Sequence, residues 1–206
     1  MARTLRSDKW LFLATLLLVG TSIVMVYSAS SFLSMTKYGH PYYFLFKQLA
    51  WAVLGLIVLG VSMRIDYRIY RQPALIWAAL GVVFLALVAV LFTRPINGTS
   101  RWFSIGPMAL QPAEFAKLAL ILFSAALLER RMHKINDLGY ALLPIGIAAG
   151  LFVGLILKEP DFGTSAAILG VLAAIIFVCG LSYRYLLTLF LVMAPTLAGI
   201  AILAPY

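Results

Sequence analysis

The sequence is poor in charge. Only 11% of its 206 residues are Asp, Glu, Lys or Arg, against roughly 25% in a soluble domain. With 64% hydrophobic residues and a mean hydropathy of +1.02, the chain cannot clothe a water-exposed surface. Disorder, collagen-like repeats and a disulfide-stapled secreted module are excluded by the same composition. There is one cysteine, Cys179, so no intrachain disulfide can form. The two histidines, His40 and His133, are far apart, which argues against a His-based metal site. Acids are scarcer than bases, seven against sixteen. In a soluble protein a net charge of +9 would point to nucleic acid. Here the bases fall between apolar runs, which points to membrane orientation and not to a nucleic-acid partner.

What is abundant is apolar sequence. A bilayer core of about 30 Å needs roughly 20 apolar residues per helix. Seven segments answer to that: Trp10–Ser28, Leu45–Met63, Ala74–Phe92, Glu114–Leu128, Tyr140–Leu157, Gly163–Leu181 and Leu186–Ala204. The expected fold is all-α, a single polytopic transmembrane domain over residues 1–206 with its N-terminus in the cytoplasm. That orientation puts ten bases inside (Arg3, Arg6, Lys9, Arg64, Arg68, Arg71, Arg130, Arg131, Lys134, Arg184) and six outside or in the membrane (Lys37, Lys47, Arg94, Arg101, Lys117, Lys158). No cleavable signal peptide is expected, because the first apolar run is too long and no cleavage site precedes a soluble domain. The chain ends at Ala204-Pro205-Tyr206 directly after an apolar run, so it is expected to be a piece of something longer. Gly146, Gly150 and Gly154 repeat at a spacing of four, a pattern that lets two membrane helices approach closely or simply reflects glycine enrichment.

Three outer pieces carry candidate chemistry. The first is the turn-rich Arg94–Gln111 loop, with Asn97-Gly98 and Gly106-Pro107, which cannot be a membrane helix. Its Arg101, Trp102 and Phe103 suit an interface anchor, or a cationic and stacking surface for a phosphate- and sugar-bearing lipid head group. The second is Gln111–Lys117. Pro112 fits the first turn of a helix and Glu114 the positive end of its dipole. Lys117 shares a face with Glu114, one turn deeper in apolar surroundings, where an unpaired charge costs on the order of 3 kcal/mol. A Glu114–Lys117 pair facing an aqueous cavity is the economical reading; a structural pair or a snorkelling lysine is the plainer one. The third piece is Lys158–Thr164. Pro160 stops one helix, and Asp161 caps the next, with Gly163 and Thr164 in its first turn. A tight capped turn explains it, as would a shared outer cavity with Glu159 and Asp161 beside Glu114 and Lys117.

In this order, the pieces resemble the SEDS family, the RodA/FtsW/SpoVE group of bacterial cell-wall polymerases. The matching residues are Asn97-Gly98 with Ser100-Arg101-Trp102, Gln111-Pro112-Ala113-Glu114 with Lys117-Leu118, and Pro160-Asp161 with Gly163-Thr164. Val24 to Ser30, and Gln48 after Phe46-Lys47, add to the match. Each motif is weak alone and the ordered set is specific. The start and the end of the chain resemble the division paralogue more than the elongation paralogue. Glu159 departs from the family pattern, which often has Gln there.

The resemblance implies a fold of ten transmembrane helices in the bacterial cytoplasmic (inner) membrane. It implies a peptidoglycan glycosyltransferase polymerising lipid II at the outer face, for division or elongation, with a class B penicillin-binding protein as partner. The family's catalytic aspartate is expected in a large outer loop beyond Tyr206, so the catalytic residue is not assigned in this chain, and the chain alone is expected not to polymerise. Glu114, Lys117, Asp161, Arg101 and Trp102 are implied to line the substrate cavity, with Asn97, Gly98, Gln111, Pro112, Pro160, Gly163 and Thr164 supporting it. The transfer needs a carboxylate to take a proton and cations to hold the leaving diphosphate. Lys117 and Arg101 supply the cationic part on this reading, and Glu114 orients Lys117. No metal site is visible, although the resemblance admits a divalent cation bridging the pyrophosphate. Two other functions compete: a flippase for the same lipid, and a non-catalytic scaffold for a membrane partner. A flippase needs a polar path to the inner face, and the midplanes of helices one, two, three, five and six carry no charge.

Overall fold

A computed structural model describes residues 8–93, 99–105, 108–185, 187–188 and 191. The chain divides into two compact units, residues 1–67 and 68–206.

The first unit is a helical hairpin. Helix α1 (Lys9–Tyr38) starts where the Asp8 carboxylate accepts the backbone N–H groups of Trp10 and Leu11 at 2.9 and 3.3 Å. Such a cap satisfies amides that have no partner within the helix. The helix ends at Gly39, whose φ of 76° needs a residue without a Cβ and whose N–H reaches Met35 O at 3.1 Å. Its 30 residues exceed the expected Trp10–Ser28 by ten at the C-terminal end. The serines there do not break the helix. Hydroxyls of this kind bond back to carbonyls one turn earlier, as Thr36 Oγ1 does to Phe32 O at 2.9 Å. Helix α2 (Tyr43–Ser62) returns along α1. Gln48 Nε2 donates to Ser22 Oγ at 3.3 Å, and Tyr27 stacks on Tyr42 with centroids 5.7 Å apart.

The described residues of the second unit form four long helices: α3 (Pro73–Val90), α4 (Pro112–Arg131), α5 (Leu143–Lys158) and α6 (Phe162–Val178). Pro at the first turn opens α3, α4 and α5, where a missing N–H costs nothing. A π-turn, Leu138–Leu142, leads into α5. Leu87, Leu120, Leu128, Ile145, Ile156 and Ile168 are buried at the centre of the unit, contributed by all four helices.

The expected turn-rich loop is more ordered than its sequence implies. It contains a short antiparallel hairpin, β1 (Phe103–Ile105) with β2 (Met108–Leu110), in the register Phe103↔Leu110 and Ile105↔Met108. Alternation over three residues is too brief to read as a strand.

Among the described residues, four spans are long and apolar enough to cross a membrane: α1, α2, α3 and Leu138–Lys158. Helix α6 is apolar but has 17 residues, and α4 has 20 residues with charge at both ends. Of the seven expected segments, the last, Leu186–Ala204, falls almost entirely outside the described residues. The glycine face does not bring described helices together. A Cβ added at Gly146, Gly150 or Gly154 would meet nothing within 4 Å.

Candidate functional site

Three helix ends gather at one end of the second unit: the starts of α4 and α6 and the finish of α5. The carbonyls at the end of α5 form a partial negative pole, and the amides at the start of α6 form a positive one. Each pole receives the opposite charge. Arg101, in the segment before β1, donates from Nε to Glu159 O at 2.6 Å and from Nη2 to Pro160 O at 2.5 Å. Asp161 is the cap of α6. Its Oδ1 accepts Thr164 N–H at 3.1 Å, its Oδ2 accepts the Thr164 hydroxyl at 2.8 Å, and its backbone carbonyl accepts the Ser165 hydroxyl at 2.8 Å.

The third helix joins through Gln111, the residue before α4, whose Nε2 donates to Asp161 Oδ2 at 2.7 Å. These contacts tie residues 50 to 59 positions apart in sequence. The loops carrying the three sequence motifs therefore meet. Pro160 ends the path of α5, and Gly163 and Thr164 lie in the first turn of α6 as expected. Asn97 and Gly98 lie outside the described residues.

Lys117 and Glu114 form the expected ion pair, 2.8 Å apart on α4, with side chains 29% and 54% exposed. The pair closes on itself. Among the described residues no hydrogen bond links it to Asp161, so the structure brings Arg101, Gln111, Pro160, Asp161 and Thr164 together and leaves Glu114 and Lys117 beside that cluster. Trp102 follows Arg101 in the chain and is partly exposed, with no ring contact among the described residues. Pro112 is buried in the first turn of α4.

Glu159 is the residue whose place the sequence conceals. It was expected at a wet turn, and its side chain is 1% exposed. Neither carboxyl oxygen has a hydrogen-bond partner among the described residues. Burial pushes the carboxyl up to about 7, the charge of Asp161 adds to the rise, and Arg101 pulls the other way. Ser165 was also missed; it is fully buried and braces the Asp161 carbonyl. Its position four residues after a capping Asp was the available signal.

Among the described residues no group of three His, Cys, Asp or Glu that could hold a metal ion comes together. Asp161 is already committed to three donors, and Glu159 is buried beside a guanidinium.

Comparison with known proteins places this arrangement. The family model FTSW_RODA_SPOVE, described as "Cell cycle protein", matches residues 9–206. A relative from Thiomicrospira cyclica named probable peptidoglycan glycosyltransferase FtsW is 33% identical over 199 residues, covering 97% of this chain and 51% of the relative. One of the same name from Legionella pneumophila is 34% identical over 203 residues, again covering 97% and 51%. The chain thus spans about half the length of the curated relatives it matches. The crystal structure of the Thermus thermophilus rod shape determining protein RodA aligns at a TM-score of 0.63 and 28% identity, over 93% of this chain and 59% of that one. A chain from a peptidoglycan synthase complex that coordinates polymerization and crosslinking aligns at 0.66 and 33%, over 90% and 55%. The helices and these matches describe a multi-pass membrane protein. A family match over nearly the whole chain, carried by relatives a third identical to it, means that this protein belongs to the FtsW/RodA/SpoVE family of cell cycle proteins.

Proposed function

We propose that the protein is a peptidoglycan glycosyltransferase that polymerises lipid II at the outer face of the bacterial cytoplasmic membrane, and that this chain contributes part of the substrate site. The observation that carries the reading is the junction at Asp161. Gln111 and Arg101 draw the start of α4 and the hairpin segment onto the α5–α6 turn. The polar groups of three motifs thereby share one end of the bundle. A reaction confined to one membrane face calls for that arrangement, and a flippase calls for polar groups along the whole path. The uncharged midplanes of α1, α2, α3, α5 and α6 favour the first.

The roles follow from what each side chain has left to give. Asp161 and Gln111 are committed to each other and hold the helices in register. Arg101 spends two of its five donors on carbonyls and brings its positive charge to the site. Lys117, partly exposed and oriented by Glu114, is the cation for the diphosphate of the lipid. Trp102 supplies a stacking face at the edge for the sugar head group. The catalytic base is not assigned to a residue of this chain. A class B penicillin-binding protein is the proposed partner, matching the complex in which a structural neighbour was solved. The family resemblance raises a divalent cation bridging the pyrophosphate, and no residue described here is assigned to hold one.

The test uses the protein at the full length its gene encodes, reconstituted in vesicles with the partner and fluorescent lipid II. Glycan strands resolved on a gel are the expected product. Lys117→Ala should lower synthesis by about 100-fold or more at normal expression, the scale on which removing one charge-stabilising donor acts. Retained synthesis sinks the assignment of Lys117. Lipid transport without synthesis sinks the polymerase reading.

A further inference from the structure

Glu159 is left without a task by the arrangement above, although its backbone is fully engaged. Its N–H donates to Ile156 O at 3.0 Å and its carbonyl accepts Arg101 Nε at 2.6 Å. Its carboxyl is buried, with both oxygens unpartnered among the described residues. The same guanidinium that holds the backbone thus acts on a carboxyl it does not bond. A buried carboxylate is normally paired or hydrogen-bonded, and an unpaired one is tolerated only when it carries its proton. The charged groups facing it are Asp161 at the start of α6 and Arg101 before β1, with Lys158 preceding it on α5. From α4 the cluster is reached by the uncharged Gln111, and the Glu114–Lys117 pair is closed on itself.

We propose that Glu159 is a positioning residue for Arg101, and that its proton decides where the guanidinium rests. Neutral, Glu159 leaves Arg101 on the carbonyls of Glu159 and Pro160. Ionised, it offers a stronger acceptor within reach, and the guanidinium leaves the carbonyls for a charge-assisted pair. That move frees the end of α5 and re-aims the segment from Ser100 to Phe103, which carries Trp102 and runs into the hairpin. A group with an affinity for protons near pH 7 makes the switch at physiological acidity. The consequence for synthesis rests on the function proposed above, since Arg101 and Trp102 form the rim of that site. The motion itself does not.

Trp102 reports the motion directly. The chain has four tryptophans. Replacing Trp10, Trp51 and Trp77 with Phe, together with any tryptophan the full-length protein carries beyond Tyr206, leaves Trp102 as the sole indole. Its fluorescence in vesicles is followed from about pH 5 to about pH 9, spanning the carboxyl range on both sides. Infrared spectra record the protonated-carboxyl band in parallel. The expected result is a transition near pH 7 in both signals that disappears in Glu159→Gln; in Arg101→Gln the carboxyl band titrates at higher pH, because the charge holding the value down is gone, and the Trp102 transition is lost with the guanidinium that drives it. Glycan synthesis by the native-tryptophan protein should change several-fold across the same range and lose that dependence in Glu159→Gln. A Trp102 transition that persists unchanged in Glu159→Gln overturns the proposal. So does a Glu159 carboxyl that is ionised throughout, a carboxyl-band midpoint that does not move in Arg101→Gln, or a Trp102 transition that survives in that variant. A Glu159-dependent transition without any glycan synthesis leaves the switch standing and sinks the polymerase reading instead.

Discussion

The two ends of the four-helix unit use the same kinds of side chain in opposite ways. At the end away from the site, Arg71 and Glu129 pair at 2.6 Å with side chains 51% and 49% exposed. Nearby, Arg131 lies 4.5 Å from the centre of the Tyr140 ring and donates to the Tyr140 carbonyl. At the other end Asp161 is 9% exposed and Glu159 1%. Charges in water orient a membrane chain through their number and sign, and each contact matters little. Charges out of water must be matched atom by atom, and each contact matters a great deal. Sidedness is written in the count of bases at the first end, and the site is written in the bonding at the second.

The largest break in that contrast is expected from Asp161→Ala. It removes the cap of α6, worth about 1–2 kcal/mol, and charge-assisted bonds from Gln111 and Thr164 that add about as much again. Unfolding in mixed micelles should show a loss of about 2–4 kcal/mol. A loss below about 1 kcal/mol would mean that the junction of α4 and α6 does not depend on Asp161. Asp161→Asn keeps a capping oxygen and should retain roughly half of the stability.

Much of this end was legible before any coordinates. Pro112, Pro160, Asp161 and Thr164 announce helix starts and stops through φ restriction and capping, and these are local effects. The i,i+3 spacing of Glu114 and Lys117 likewise announces their pair. What was not legible is the meeting of the loops. Nothing local to Arg101 says that its partners are carbonyls 58 and 59 positions later. The burial of Glu159 is hidden for the same reason, since exposure depends on which helices pack over a turn. At the first unit the sequence misjudged the length of α1, because the more polar stretch after Ser28 stays helical, with Thr36 bonding back to Phe32 O. The hairpin was missed because its strands have only three residues each.

The next largest effect sharpens the contrast by pH. Glu159 holds its proton up to about pH 7 in the folded protein, against 4.5 for the ordinary carboxyl. Between those values the folded state binds a proton that the unfolded state releases, so stability falls as pH rises through this window. The contribution is present in full below about pH 4.5 and is gone above about pH 7. The shift corresponds to a ceiling of about 3 kcal/mol, and less is expected because Arg101 can answer the charge. Melting temperatures from about pH 5 to about pH 8 should decline in the wild type and stay flatter in Glu159→Gln. Parallel curves for the two proteins would mean that the carboxyl is hydrated.

The smallest effect belongs to the exposed end, and the contrast depends on its being small. Arg71 and Glu129 have good geometry and half-exposed side chains. Each charge keeps most of its hydration whether or not the other is present, and salt screens what attraction remains. A double-mutant cycle of Arg71→Ala and Glu129→Ala should therefore give a coupling of about 0.5 kcal/mol or less, shrinking further in high salt. Orientation should survive as well, because Arg68, Arg130, Arg131 and Lys134 remain at that end of the unit. A coupling above about 2 kcal/mol, comparable to that of the Gln111–Asp161 contact measured in the same way, would erase the difference between the ends. Burial would then not be what separates the two ends, and the site would have to be distinguished by residue identity alone.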